Sequence, residues 1–581
     1  MLTKFLILGL MVSYVLSPDL MPVHADDSIT SEMNVPVTSD RKMATVKLRR
    51  LHSFQSQVTN PNTVYVIKNA YDLNGAEVIM PDNCVLSFKK GSLSNGTLIG
   101  ANTMIRGARK RIFNDVSFKG TFDNAEVYSE WFPLKEGKGD NRKCFDAIMA
   151  LANGPQNTSV YIEEGTFYTS VGGHGGGIAV PSDTHVHNRA TIVAIPTALE
   201  KFEVISICNV RNVVFEGGQI IGDVDNHLND NGEWGYGIGL LGARDCTVKD
   251  IHIQKCWGDG INIQSLYSDY TNSTVSGHCY NIRIDGVTCD DNRRQGLSIE
   301  GAMDVEVINS IFTNTGKTKS TLPSAGIDIE PWFDTQIVRN IKIENCRFEN
   351  NIGGNLIMPL TDGQWKNKEC YDIVVRNNVF DDCNIRFNRA RNVVFEGNVV
   401  GMGNASLEFN QYSGISVRNN VIDGAVTFYT EGDSENAIVS GNTIKGGKRN
   451  AFNVERVVNN NIDGSVYIQE VKECLFSNNK MKYEGQDTYS FICDNAEIEI
   501  SGNEFELDKP LIFRYETNAV IYENTFVVTR DISPACIIMQ TARGAAEYDA
   551  HIEDNTFKGI RQPWVNYSAR GRYDVKNNKV E

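Results

Sequence analysis

Apolar and polar residues alternate in short segments through the last third of the chain, and the segments recur about every 20 residues. Ile415 with Val417, and Ile498 with Ile500, show the alternation that is typical of β-strands with one buried face. A fixed period of this size predicts a solenoid whose repeats bury their apolar faces against one another. The pattern therefore predicts an all-β fold, a parallel β-helix with one coil per repeat.

The same repeats share a turn phrase of the form polar-Asn-x-apolar. It occurs at residues 397–400, 419–422, 441–444, 502–505, 523–526, 554–557 and 577–580. Asn suits a turn because it tolerates left-handed backbone. Stacked Asn side chains can also hydrogen-bond to one another along a solenoid. We therefore expect a ladder of Asn side chains in these turns.

The amino terminus has the composition of a secretory signal peptide, assigned to residues 1–25. Lys4 precedes the apolar run 5–16, and Val23-His24-Ala25 supplies small residues for cleavage. The run is too short to span a membrane, and no Cys near the cleavage site indicates a lipoprotein anchor. The sequence predicts an exported protein, periplasmic or secreted, without a membrane partner.

Three further segments follow the predicted signal. Residues 26–60 are polar and are assigned to a leader or linker. Residues 61–128 are rich in strand patterns with Gly and Asn at the turns, and we predict a small N-terminal β-solenoid domain there. Residues 129–581 are assigned to the main β-helix.

One capping helix is expected between residues 139 and 154. Apolar residues recur at helical spacing from Phe145 to Leu151, with Asp140 or Asn141 as the N-cap and Gly154 as the stop.

The segment after this helix reads Val160-Tyr161-Ile162-Glu163-Glu164-Gly165-Thr166-Phe167. It resembles the beginning of pectate-lyase-like right-handed parallel β-helices, although it lacks the proline of their pattern. The resemblance covers about residues 131–581, and it implies a right-handed parallel β-helix opened by one capping helix. Residues 63–132 resemble a segment found ahead of such domains in exported proteins of gut Bacteroidetes, which implies a glycan-active protein.

The net charge and the cysteine content limit which kinds of partner, metal site and disulfide are expected. A net charge of −16 disfavours nucleic acid, which needs a basic surface. Thirteen Cys is an odd number, so at least one thiol is unpaired within the chain. The Cys residues lack CxxC spacing, and no metal site is predicted. Inert core cysteines are expected, with disulfides across coils as the alternative.

The polar residues that could form a functional site lie where the spacing of the coils is irregular. Strands can be aligned on a shared glycine at Gly260, Gly296, Gly326 and Gly354. The outward positions between buried apolar residues then form two columns. These are Asn262, Ser298 and Asp328, and Gln264, Glu300 and Glu330. Coils stack about 4.8 Å apart, so the columns predict one polar patch.

This patch contains the carboxyl groups that glycoside hydrolysis requires. The reaction uses two carboxyl groups beside the scissile bond, and Asp259, Asp328 and Glu330 are the candidates. We assign Asp328 as the general acid, which needs a raised pKa. Asp259 or Glu330 would then activate water or act as nucleophile. The alternative is that these outward carboxyl groups are simply solvated.

Substrate contacts are expected from the guanidinium, carboxyl and aromatic side chains beside these candidates: Arg293, Arg294, Glu300, Trp257, Trp332 and Tyr236. A guanidinium fork can hold hydroxyls or a carboxylate. The alternative for Arg293 and Arg294 is a structural ion pair with Asp259 or Asp328.

The function predicted first is an exported glycoside hydrolase acting on a complex polysaccharide without a cofactor. The chain lacks the Asn-Thr-Asp and Arg-Ile-Lys motifs of polygalacturonases. A polysaccharide lyase or C5-epimerase acting on a uronic-acid glycan is the alternative enzyme. It would use Arg293, Arg294, Lys317 or Lys319 as proton acceptor and could hold Ca²⁺. A non-catalytic glycan-binding β-helix is the third possibility, and the oligomeric state stays open.

Overall fold

The computed structural model describes residues 43–269, 274–359, 369–381, 384–429, 434–530, 532–540, 549–567 and 572–581. Ala44–Glu581 form one compact unit. The predicted signal peptide at residues 1–25 lies outside the described residues. Within the described ranges, no helix is long and apolar enough to cross a membrane.

The main body is a right-handed parallel β-helix whose coils contribute strands to three stacked ladders. The strands of the first ladder are Glu126–Tyr128, Thr158–Ile162, Thr184–Asn188, Val213–Glu216, Arg244–Lys249, Cys279–Asp285, Ala302–Ile308, Ile337–Glu344, Glu369–Arg376, Arg391–Glu396, Ser413–Arg418, Glu435–Ser440, Arg456–Val458, Cys474–Ser477, Glu497–Ser501, Asn518–Tyr522, Asp549–Glu553 and Arg572–Lys576.

The other two ladders belong to one 31-stranded sheet. The strands of the second ladder are Thr166–Thr169, Thr191–Ala194, Gln219–Ile221, His252–Gln254, Thr288–Asp290, Ile311–Thr313, Arg347–Glu349, Val379–Phe380, Val399–Asn410, Val421–Tyr429, Thr443–Lys445, Asn461–Asp463, Lys480–Tyr483, Glu504–Leu507, Thr525–Val528, Thr556–Lys558 and Lys579–Val580.

The third ladder carries the candidate site. Its strands are Ile178–Ala179, Lys201–Cys208, Trp234–Leu241, Asp259–Gln264, Gln295–Ile299, Ala325–Ile329, Gly354–Met358, Ile385–Asn388, Asn450–Phe452, Val466–Gln469, Phe491–Asp494, Leu511–Arg514, Ile537–Gln540 and Trp564–Asn566. The strands Val399–Asn410 and Val421–Tyr429 run continuously from the second ladder into the third.

The core forms because each coil presents the same kind of side chain to the coil above it. Phe505, Phe526 and Phe557 stack with centroids 4.8 Å apart at both steps, which is the spacing of neighbouring strands. Ile415, Val417, Ile498 and Ile500 are buried as the alternation predicts.

The predicted Asn ladder is present. Asn398 donates from its backbone N to Asn420 Oδ1 at 2.8 Å and from its side-chain Nδ2 to the same atom at 3.1 Å. The same link joins successive turns from Asn378 to Asn578. The left-handed backbone lies one residue earlier in the phrase than expected, at Gly397 and Asn419 for example. Each ladder Asn therefore serves as a buried hydrogen-bonding group.

The N-terminal block is a smaller stack of parallel strands. One of its sheets contains Ala44–Lys47, Thr63–Ile67, Val85–Phe88 and Met104–Arg106, and the other contains Ala70–Asp72, Glu77–Ile79, Ser92–Gly100 and Phe113–Gly120. Ala44–Lys47 pairs with Thr63–Ile67, so the block includes residues assigned above to the linker 26–60. At the other boundary, Glu126–Tyr128 already belongs to the first ladder of the β-helix.

Helices are few in the described chain. Phe54–Gln57 is a single turn, Ser129–Trp131 is a 3₁₀ turn, and the predicted capping helix spans Arg142–Ala150. Asn141 occupies the N-cap position, but the carboxylate of Asp140 accepts the Arg142 N–H at 2.9 Å.

Most of the described cysteines are buried thiols. The alternative of disulfides across coils is not seen among them.

Candidate functional site

Glycine shapes the strands that carry the site. A Cβ at Gly260 would lie 2.7 Å from the Gly296 carbonyl oxygen, and one at Gly296 would lie 2.5 Å from the Gly326 oxygen. A side chain at either position would therefore clash with the next strand. Asp259 and Asn262 lie on the same side of the strand, because both contact Ser298 Oγ. The alignment of Gly354 with Gly326 was wrong by one residue, because Ala325 pairs with Gly354.

The two predicted columns exist in the expected register. Asn262 pairs with Ser298, and Ser298 pairs with Asp328. However, the columns are not a solvated face, since all three of these residues are fully buried. Glu330 is the one carboxyl side chain of the patch with visible solvent exposure, 13%.

Asp328 and Glu330 share one hydrogen-bond donor. Gln295 Nε2 lies 2.7 Å from Asp328 Oδ2 and 3.0 Å from Glu330 Oε1. Because both oxygens lie at hydrogen-bond distance from one nitrogen, they are within about 6 Å of each other. The predicted acid and one predicted base are thus brought together.

Arg294 provides the positive charge of the cluster. Its Nη1 lies 2.8 Å from Glu330 Oε1, and its Nη2 donates to Glu330 Oε2 at 2.9 Å. Nη1 also lies 3.5 Å from Asp259 Oδ2. This is the contact with Asp259 that the sequence left open as a structural ion pair.

Asp259 and Glu300 are held by the neutral residues between them. Ser298 Oγ donates to Asp259 Oδ2 at 2.7 Å. Asn262 Nδ2 donates to Ser298 Oγ at 2.9 Å and to Glu300 Oε1 at 2.7 Å. The network therefore runs unbroken from Asp259 to Glu300.

Burial changes the protonation of these acids. It raises the pKa of Asp259 to about 8, against the opposing effect of Arg294. Burial and the nearby Glu330 raise the pKa of Glu300 to about 7, and the same two causes raise the pKa of Asp328 well above its ordinary value. Burial opposes the charge on Arg294, but Glu330 and Asp259 raise its pKa well above the ordinary value. Asp328 therefore keeps its proton to a higher pH than an exposed carboxyl group does, and it lies beside the Arg294–Glu330 ion pair.

Several buried oxygens of the network have no hydrogen-bond partner among the described residues. They are Asp259 Oδ1, Asn262 Oδ1, Gln295 Oε1 and Asp328 Oδ1. A buried polar atom without a partner costs about 1–3 kcal/mol. Such atoms are few in native proteins and call for a specific explanation, of which a catalytic role is one.

Trp257 and Arg293 are turned away from this network. Trp257 is fully buried, with the His227 ring stacked at 3.8 Å and the Arg293 guanidinium 3.8 Å from its ring centroid. Arg293 Nη1 donates to the Gly232 carbonyl oxygen at 2.8 Å. The prediction that these two side chains contact substrate is not supported by this placement, because neighbouring loops cover both.

The other two aromatic candidates differ from each other. Tyr236 is buried, and burial raises its pKa well above the ordinary value, with Glu300 and Asp259 adding to the shift. Trp332 is 43% exposed and follows Glu330 by two residues. Of the two, Trp332 has a face that a ligand can reach.

A His–carboxylate pair extends the same surface and was not predicted. Glu203 pairs across the ladder with Tyr236, which lies beside Asp259 in the next strand. Its buried carboxylate lies 2.6 Å from His174 Nδ1 and accepts the Gly175 N–H at 2.7 Å. The glycine-rich run around His174, residues 172–177, is the signal that could have identified it.

Comparison with known proteins identifies no family, since no protein-family profile matches the chain. The uncharacterized protein YclG of Bacillus subtilis is 24% identical over 290 residues, which cover 46% of this chain and 47% of that protein. The chain therefore spans about half the length of this relative.

Solved structures with parallel β-helices are also similar. The A-module of the mannuronan C-5 epimerase AlgE6 from Azotobacter vinelandii is 12% identical, covers 78% of this chain and 99% of its own, and has a TM-score of 0.32. The family 28 exopolygalacturonase of Yersinia enterocolitica is 12% identical, covers 79% of each chain, and has a TM-score of 0.34. Similarity at this level carries no inference about activity or substrate.

Proposed function

We propose that this chain is an exported glycoside hydrolase that cleaves a polysaccharide with Asp328 and Glu330. One observation carries the proposal: Gln295 joins these two carboxyl groups while their environments differ. Asp328 is fully buried with a raised pKa, whereas Glu330 is partly exposed and paired with Arg294. A carboxyl group that favours its protonated form beside one held in an ion pair is the combination that acid–base cleavage of a glycosidic bond requires.

Each residue has a chemical role in this proposal. Protonated Asp328 has Oδ1 free of other hydrogen bonds among the described residues, so this atom can donate a proton to the leaving oxygen. Ionised Glu330 activates water or attacks the anomeric carbon. The spacing of about 6 Å or less is nearer to that of retaining than of inverting enzymes.

Asp259 is the weaker candidate for the second carboxyl group. It is fully buried, whereas Glu330 is 13% exposed and can be reached by a substrate. We therefore place it in the supporting network, where it orients Arg294.

A non-catalytic glycan-binding β-helix is the second candidate, and one observation favours it. Asp259, Asp328 and Glu300 are all buried, so a substrate reaches the cluster only past Glu330. Arg294 is a weak candidate for the proton acceptor that a lyase or epimerase needs. A guanidinium whose pKa is raised is a poor proton acceptor.

The test is incubation of the protein with separate neutral and uronic-acid polysaccharides. Reducing ends and the ultraviolet absorbance of unsaturated products are followed together. We expect new reducing ends without absorbance. Absorbance that rises with cleavage would establish a lyase and remove the role of the carboxyl pair. Binding without either signal across the panel would favour the glycan-binding protein.

A further inference from the structure

A second group of potential ligands lies on the outer face of the first ladder, away from the carboxyl cluster. His185 and His187 alternate with buried residues on the strand Thr184–Asn188, so both side chains point outward. His187 pairs in register with Glu216 of the next coil. The fold thus brings three ligand-type side chains together from two strands.

The ligand atoms converge on one carboxylate oxygen. His187 Nδ1 lies 2.5 Å from Glu216 Oε1, and His185 Nε2 lies 3.2 Å from the same oxygen. All three ligand atoms lie within 4.8 Å of one another. Metal–ligand bonds of about 2.0–2.2 Å place neighbouring ligand atoms roughly 3 Å apart, so a small ion fits here with little rearrangement.

His185 Nε2 has an environment suited to a metal. The atom is shielded from solvent and makes no hydrogen bond among the described residues, although Glu216 is close. A buried ring nitrogen without a partner is uncommon and calls for an explanation. Coordination of an ion shared with Glu216 supplies one.

The surrounding side chains hold the ligands in place. The His187 ring stacks on Tyr161 with centroids 4.7 Å apart and planes 8° apart. Lys249 Nζ lies 2.5 Å from Glu216 Oε2, the oxygen that faces away from the histidine nitrogens. Lys249 therefore orients the carboxylate and leaves Oε1 for the ion, as outer-shell partners of metal ligands do.

We propose that His185, His187 and Glu216 form a binding site for a divalent transition metal of the Zn²⁺ class. Two imidazoles and one carboxylate suit Zn²⁺, Cu²⁺ or Ni²⁺ better than Ca²⁺ or Mg²⁺, which prefer oxygen. Three protein ligands also leave a coordination position open. His187 and Glu216 line a cleft of about 510 Å³, so a small ligand can reach that position.

The inference is independent of the proposed hydrolase and has its own experiment. Zn²⁺ is titrated into the full chain, prepared without a histidine tag, by isothermal calorimetry. We expect one strong site per chain. The double variant His185→Asn/His187→Asn should lose it, and Glu216→Gln should weaken it at least about tenfold, since even outer-shell changes cost that much.

His252→Asn is the matched control, because this histidine is similarly exposed (40%) and lies near a carboxylate, Asp290, outside the group. It should leave the site intact. Thermal unfolding confirms that the variants fold.

A second measurement needs no variant. Co²⁺ bound to the unaltered chain should show the visible absorption of a nitrogen-ligated ion, and Zn²⁺ should displace it. Absence of a stoichiometric site, or equal Zn²⁺ affinity in the double variant, would overturn the proposal.

Discussion

Arg294 binds Glu330 through two nitrogen–oxygen contacts, of 2.8 and 2.9 Å, in a site where the Arg294 side chain is only 4% exposed. A buried guanidinium is stable only if its charge is balanced. Glu330 supplies that balance, and Asp259 adds a longer contact of 3.5 Å. Burial raises the pKa of Asp259, Glu300 and Asp328, and this pair also shifts each of these values.

Removing Arg294 should destabilise the fold strongly. Arg294→Met leaves Glu330 without its partner, and breaking a buried ion pair costs about 3–5 kcal/mol. Urea unfolding measures the change. Arg386→Met is the control, since the Arg386 side chain in the Arg386–Glu408 pair is 46% exposed, and exposed pairs contribute about 1 kcal/mol or less. Equal effects of the two substitutions would contradict the role given to Arg294.

Stability should fall as the pH rises towards about 8. The unfolded chain ionises Asp near pH 4, whereas folded Asp259 keeps its proton up to a pKa of about 8. Between these values the folded state binds more protons, so the unfolding free energy decreases with pH and then levels off.

Asp259→Asn should reduce this slope, because the amide resembles the protonated acid. The exposed Asp334→Asn serves as its control. Urea unfolding at a series of pH values is the measurement. A slope that Asp259→Asn leaves unchanged would show that Asp259 is ionised in the folded protein.

Substitution of Trp257 should lower stability, whereas substitution of Trp332 should weaken substrate binding. Trp257 is enclosed by His227 and Arg293, and Trp257→Ala should cost about 3–5 kcal/mol of stability. Trp332 is 43% exposed beside Glu330. Trp332→Ala should leave stability nearly unchanged and raise the KM for polysaccharide. If Trp257→Ala raised the KM and Trp332→Ala lowered the stability instead, the substrate would not bind beside Glu330.

The Asn ladder should be essential to the solenoid. Asn442 Oδ1 accepts from the backbone N and from Nδ2 of Asn420, and Asn442 Nδ2 donates to the Val417 carbonyl oxygen at 2.9 Å. Asn442→Ala leaves buried groups without partners, at about 1–3 kcal/mol each. The exposed Lys445→Ala in the same coil should change stability by less than about 0.5 kcal/mol. Denaturant unfolding compares the two.

The sequence predicted the solenoid because its period survives in every coil, from Asn398 to Asn578. It also predicted which residues share a column, since a glycine repeats at Gly260, Gly296 and Gly326 in neighbouring strands. It could not predict that the column is buried. That depends on contacts between side chains of neighbouring coils, such as the hydrogen bond from Gln295 to Asp328.

Contacts between coils also explain why the group of His185, His187 and Glu216 and the His174–Glu203 pair were not predicted. His185 and His187 are visible as an alternating pair in the sequence, but Glu216 joins them only through the register of two coils. His174 lies in an irregular glycine-rich loop, and its partner Glu203 belongs to the next coil. The register of these two coils and the path of this loop are not encoded in a local pattern.

The central claim is that Asp328 is the general acid. The measurement is the rate of reducing-end release by Asp328→Asn on whichever polysaccharide the unaltered chain cleaves. Glu408→Gln is compared alongside it, because Glu408 lies further along the same ladder and its described partners, Arg386 and Ser406, are partly exposed. We predict a loss of about 10²–10⁴ for Asp328→Asn, retained glycan binding, and no loss for Glu408→Gln. Full activity of a folded Asp328→Asn variant would contradict the account.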